Sequence, residues 1–215
     1  MNTTATSYRR SANTVRTLTV TAMLAAVSYI LAFAAFPVPL SPSFAKMDLS
    51  DFPALIGAFA FGPGAGVLIE LIKNALQLLN TSTGGVGELA NFLMGGSFAL
   101  TAGLIYQRNK TRRSAVIGCV EASVMMGIAA ALANYFILLP MFEQFMPLEQ
   151  VIAVFGELMP FVQTKLDVVL YNAFPFNLLK GAVISLCTMA VYKRLSPILK
   201  GTKKYGSDSV SAKAL

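Results

Sequence analysis

Asn177 and Lys180 stand three residues apart in the segment PFNLLK (175–180), so on a helix they share one face. The amide offers a donor and an acceptor side by side, and the ammonium offers a positive donor. Asn134 and Tyr135 close another apolar run, and Tyr171, Phe174 and Phe176 surround the Asn–Lys pair. Such a set fits the polar edge and flat faces of a planar heterocycle. The same residue types also gather at a membrane interface, where Lys and Asn reach for water and aromatics form a belt. Glu70 and Lys73 are likewise three apart on one helix face, which suits an internal ion pair that lowers the cost of inserting either charge. The sequence has no histidine, and Cys119 and Cys187 form no CxxC pair. GxxxxGKS/T, GxSxG and HExxH are all absent. We therefore expect a chain with no catalytic machinery, no bound metal and no nucleotide loop of its own.

The elements that hold these residues are apolar. Of 215 residues, 55% are hydrophobic and 13% charged, and the mean hydropathy is +0.64. A soluble domain carries about a quarter charged residues, and a core of this size could not hide so much apolar surface. A lipid bilayer can, because it is itself the apolar solvent. The net charge of +7 does not mark a nucleic-acid surface, since the basic residues cluster at the ends of apolar spans and do not interleave with aromatics on one face.

Residues 1–16 read as a polar cytoplasmic tail, 17–195 as a helical membrane domain, and 196–215 as a basic cytoplasmic tail. Apolar runs at 17–36, 88–107, 114–139 and 171–192 are each long enough to span. The segment 37–50 (PVPLSPSFAKMDLS) is a loop, broken by three prolines with Lys46 and Asp48. Residues 51–80 are one kinked helix or two short ones divided at Gly62-Pro63. Charge decides between them. Thirteen of the seventeen Lys and Arg lie in the N-tail, in the loop 108–113 or beyond residue 192. All three regions fall on the cytoplasmic side only when 51–80 is a hairpin. The expectation is an all-α protein of six transmembrane helices with both termini inside. The loop 37–50, the turn 81–87 and the connector 140–170 then lie outside, the last with an amphipathic surface helix over 148–161. On the first span, Ala22 and Ala26 make a small-xxx-small face suited to a membrane partner.

Six segments carry a resemblance in order along the chain: FAKMDLSDFPAL (44–55), FGP (61–63), ELIKN (70–74), ANFL (90–93), NYFILLP (134–140) and PFNLLK (175–180). Together they resemble the riboflavin-specific S components of energy-coupling factor (ECF) transporters. The resemblance implies a six-helix subunit in a bacterial plasma membrane that captures riboflavin from outside. It implies docking, by the Ala22–Ala26 face, on a shared transmembrane T subunit that works with two ATPases. Energy would then come from partners, in keeping with the missing nucleotide loop. Carried over by motif, Asn134, Asn177 and Lys180 hydrogen-bond the isoalloxazine edge, loop 37–50 caps the site, and Lys46 and Asp48 meet the ribityl chain. No cofactor is implied, riboflavin being the cargo.

Two other readings stay open at this point. One is an S component for another vitamin, such as thiamine. The other is a self-standing secondary carrier, which would give Glu70 or Glu121 a coupling role.

Overall fold

The computed structural model describes residues 3–37, 46–81, 83–144, 147–159 and 161–199. Most of the loop 37–50 and the end of the basic tail therefore lie outside the described residues, as does the side chain of Lys46. Among the described residues the fold is helical apart from one short strand pair.

Helix α1 (Thr3–Phe33) begins within the segment read as a tail and ends three residues before the expected boundary. Beyond it, strand β1 (Phe36–Pro37) pairs antiparallel with β2 (Lys46–Met47). This two-residue pair is the one departure from helix and leaves the fold class helical among the described residues. A chain leaving a helix into a Pro-rich loop must satisfy its backbone groups, and two paired residues at the loop's mouth do so.

Helix α2 (Asp51–Phe61) and helix α3 (Pro63–Gln77) pack against each other on either side of Gly62. Gly62 has φ 110°, a conformation open to glycine and strained for any side chain. Its N–H still bonds Ala58 O at 3.0 Å, and Pro63 starts α3 where no N–H is needed. The break thus falls where the sequence placed it. A 3₁₀ turn (Leu78–Asn80) closes α3. The turn after it is held by Thr81 and Thr83, whose hydroxyls both donate to Glu88 at 3.0 Å.

Helices α4 (Val86–Arg108) and α5 (Arg112–Ala133) form the next hairpin. Helix α5 does not end at Asn134. It runs through a π-helical turn (Asn134–Leu138) into α6 (Leu139–Phe142). A matching π turn (Val169–Ala173) joins α8 (Lys165–Val168) to α9 (Phe174–Leu199). Proline explains both positions. Pro140 and Pro175 have no N–H for the carbonyl four residues back, so the ladder widens just upstream of each. Helix α7 (Leu148–Leu158) is the expected amphipathic helix. Its Phe155 packs inward on Leu139, Val162, Val168 and Val169, so its apolar face meets the protein beside both π turns.

Two clusters bind the bundle. One joins Leu55 and Phe59 of α2 to Phe98 and Tyr106 of α4, Met126 of α5 and Ile184 of α9. The other is a seam of small residues, Ala25, Ala54, Ala58 and Ala99 around Ile69, which lets α1, α2, α3 and α4 approach closely. Four helical stretches are long and apolar enough to cross a membrane: Thr14–Phe33, Val86–Arg108, Arg112–Phe142 and Lys165–Val191. Helix α2 is apolar but, at 11 residues, only about 16 Å long. This is a membrane protein whose outer surface is apolar, with Met23, Ile30, Leu79, Phe136 and Leu186 all exposed.

Candidate functional site

One end of the bundle collects the start of α2, the end of α3, the start of α4 and the start of α9. There the chain buries a cluster of charges. Lys73 Nζ lies 2.6 Å from Asp51 Oδ1 and 2.6 Å from Glu70 Oε2, and it donates to Ser50 Oγ at 3.1 Å. All three charged side chains are inaccessible to solvent. Asp51 Oδ2 faces Lys180 Nζ at 2.9 Å, and Asp48 Oδ2 stands 3.6 Å from the same ammonium. Asp51 is thus the hub: a single carboxylate lies between the lysines of α3 and α9. The expected Glu70–Lys73 pair is present, inside a set of three acids and two lysines.

The groups around this cluster are polar and come from three helices. Asn74 donates to Glu70 O at 2.8 Å and to Glu70 Oε2 at 3.3 Å, and Asn91 donates to Asn74 Oδ1 at 2.9 Å. Ser28 of α1 donates to Ser50 O. Asp48 Oδ1 accepts from Ser50 N at 2.8 Å, which fixes the turn entering α2. Gly95 of α4 makes room for the carboxylates. A Cβ there would press into Glu70 and come within 3.1 Å of Asp51 Oδ1. Glu70 Oε1 is buried without a hydrogen-bond partner, a cost carried inside the network.

Sequence reasoning placed Asn177 and Lys180 correctly on one face of α9, and both are buried. Asn177 Nδ2 donates to Ala173 O at 2.9 Å, and Asn134 Nδ2 donates to Ala130 O at 2.8 Å. Each amide is thereby turned so that Oδ1 is its open acceptor. Helices α5 and α9 are antiparallel: a Cβ at Gly127 would touch Phe174, and one at Gly181 would touch Ser123. That register puts Asn134 roughly 10–15 Å along the axis from Asn177, at 1.5 Å per residue. The structure therefore brings Lys180 to Asp48, one turn from Asn177, and sets Asn134 apart, near the level of the second π turn.

Tyr135 is half-buried and meets Phe136 edge-on at 5.0 Å, while Phe176 is half-buried on α9. Tyr171 faces outward against Phe161. Ala22 and Ala26 are exposed on α1, and the buried stripe of that helix is instead Thr21, Ala25 and Ser28. A small cavity of about 100 Å³ is lined by Ala32, Phe33, Gln77, Asn80 and Glu88. It does not include the α9 residues.

Reasoning from sequence missed Asp51, Asn74, Asn91 and the buried Asn172. Asp51 had a visible signal, as an acid two residues before a proline at the mouth of an apolar helix. Its role did not, since the lysines it joins lie 22 and 129 residues away along the chain.

The fold and the sequence are shared with known proteins. A family model described as the substrate-specific component of ECF transporters matches residues 16–192. This chain belongs to that family. It is 36% identical over 179 residues to the riboflavin transporter RibU of Staphylococcus aureus (strain TCH60), covering 83% of this chain and 89% of that one. The riboflavin transporter FmnP of Bacillus subtilis (strain 168) is 30% identical over 186 residues, covering 85% and 93%. A solved S component of a bacterial ECF transporter superposes with a TM-score of 0.70 at 34% identity, over 87% of this chain and 99% of the other. These relatives are transporter components and not enzymes.

Proposed function

We propose that this S component captures riboflavin at the outer membrane face and delivers it through an ECF complex. The observation that carries the reading is the pairing on α9. Asn177 presents an acceptor, and one turn on Lys180 presents a cationic donor. A ring edge with an N–H beside a carbonyl oxygen meets that pair in register, and the imide edge of isoalloxazine is such an edge. The named relatives, riboflavin transporters at 36% and 30% identity, support the choice of vitamin. The axial spacing supports a division of labour: Asn177 and Lys180 read the ring edge, and Asn134, with Tyr135 nearby, meets a more distant part of the same ligand. Phe176 supplies apolar wall, while Lys46 and Asp48, where the loop 37–50 returns, meet the ribityl chain.

In the membrane, α2 and α3 cross as a short hairpin and complete six spans with both termini cytoplasmic. The loop 108–113 lies at the end of the bundle that holds the Gly62 turn, since a Cβ at Gly62 would strike Gln107. Its basic residues support placing that end inside a bacterial plasma membrane. The exposed Ala22–Ala26 face supports docking on the T subunit, whose two ATPase partners supply energy.

The test is direct. The chain is purified in detergent from cells grown with riboflavin, and its visible absorbance is compared with those of Asn177→Ala and Lys180→Ala. The reading expects flavin bands in the wild type that fade in both variants. A colourless wild type that also leaves the fluorescence of added riboflavin unquenched sinks it.

A further inference from the structure

We infer that Asp51 is a positioning residue for ligand recognition: its carboxylate holds the Lys180 ammonium charged and in place, so that the site demands an acceptor at that point of the ligand. The inference rests on the riboflavin reading and deepens it, by naming what sets the donor.

The geometry has three parts. Asp51 is inaccessible to solvent and anchored from behind, because Oδ1 is bonded to Lys73, which is itself held by Glu70 and Ser50. The carboxylate therefore cannot swing toward Lys180 and follow it. Next, Lys180 is almost wholly buried, and an ammonium there needs a counter-charge to stay protonated. The acids near it are Asp48 at 3.6 Å and Asp51 at 2.9 Å, with Glu70 behind Lys73. Asp51 is the nearer and the better fixed. Finally, an ammonium carries three N–H groups, and the Asp51 contact at 2.9 Å engages one of them, with Asp48 farther off at 3.6 Å. Donor capacity therefore remains for a ligand acceptor one turn from Asn177.

The roles are thus separable. Lys180 touches ligand, and Asp51 acts only through Lys180. A merely structural Asp51 would lower stability and affinity together, whether or not Lys180 were present.

The experiment is a double-mutant cycle in detergent, with riboflavin affinity read by fluorescence quenching and folding by thermal melting. The proteins are wild type, Asp51→Asn, Lys180→Met and the double variant. Asp51→Asn is expected to weaken riboflavin about thirtyfold, the scale of one charge-assisted contact. In the Lys180→Met background the same substitution should cost less than about twofold, because nothing is left to position. If Asp51→Asn does not fold alone, Asp51→Asn/Lys73→Met removes the buried pair together and is compared with Lys73→Met, with and without Lys180→Met. An equal loss of affinity in both Lys180 backgrounds overturns the inference while leaving riboflavin capture standing. A wild type that does not quench riboflavin overturns both.

Discussion

Lys73 Nζ lies 2.6 Å from Asp51 Oδ1, and neither side chain touches solvent. The pair fastens α3 to the first turn of α2, at the point where the loop 37–50 rejoins the bundle. Removing one partner of such a pair leaves the other as a buried, uncompensated charge. Lys73→Met should therefore destabilise by about 3–5 kcal/mol. Thermal melting of the purified protein checks this. A melting temperature unchanged within error would mean that Asp51 and Glu70 are met by water or by Lys180 instead.

Gly95 and Gly96 are neighbours on α4 with opposite prospects. A Cβ at Gly95 would enter the Glu70 carboxylate, whereas one at Gly96 would meet nothing closer than Phe92 at 3.6 Å. Gly95→Ala should cost about 1–3 kcal/mol by overpacking, and Gly96→Ala should be neutral or slightly stabilising. Melting the two variants side by side tests the position of the cluster. Equal behaviour would contradict it.

Gly62 divides α2 from α3 at φ 110°, with Gln107 filling the space a side chain would need. Gly62→Ala should lose about 1–3 kcal/mol from backbone strain. Adding Gln107→Ala relieves the collision but not the strain, so stability should return only in part. Full recovery in the double variant would show that crowding alone made glycine necessary.

Membrane sidedness is open to labelling. Asn109 and Gln144 are both exposed and sit at opposite ends of the bundle. With Cys119 and Cys187 replaced by Ala, an impermeant maleimide applied to intact cells should label Gln144→Cys and spare Asn109→Cys. The reverse pattern would invert the topology.

How much of this was legible follows from the range of the interactions. The break at Gly62-Pro63 was readable because it is local: a residue with positive φ followed by one without an N–H stops a helix wherever it lies. The shared face of Asn177 and Lys180 was readable for the same reason, as a consequence of helical period. The π turn at Asn134 was not, although Pro140 was in view. The proline says that a ladder must open, and only packing chooses between a stop, a kink and a widened turn.

The sequence by itself determined that the chain is helical, lives in a bilayer, keeps most of its positive charge off the apolar spans and carries Asn177 beside Lys180. Each of these is a matter of composition or of spacing within one segment. Only the tertiary structure decided that Asp51 stands between Lys73 and Lys180, that Gly95 makes space for the carboxylates, and that Asn134 sits well apart from the α9 pair. In a medium without water, a buried charge must find its partner wherever the helices bring one, and pairing across such distances along the chain is fixed by packing, which no local pattern records.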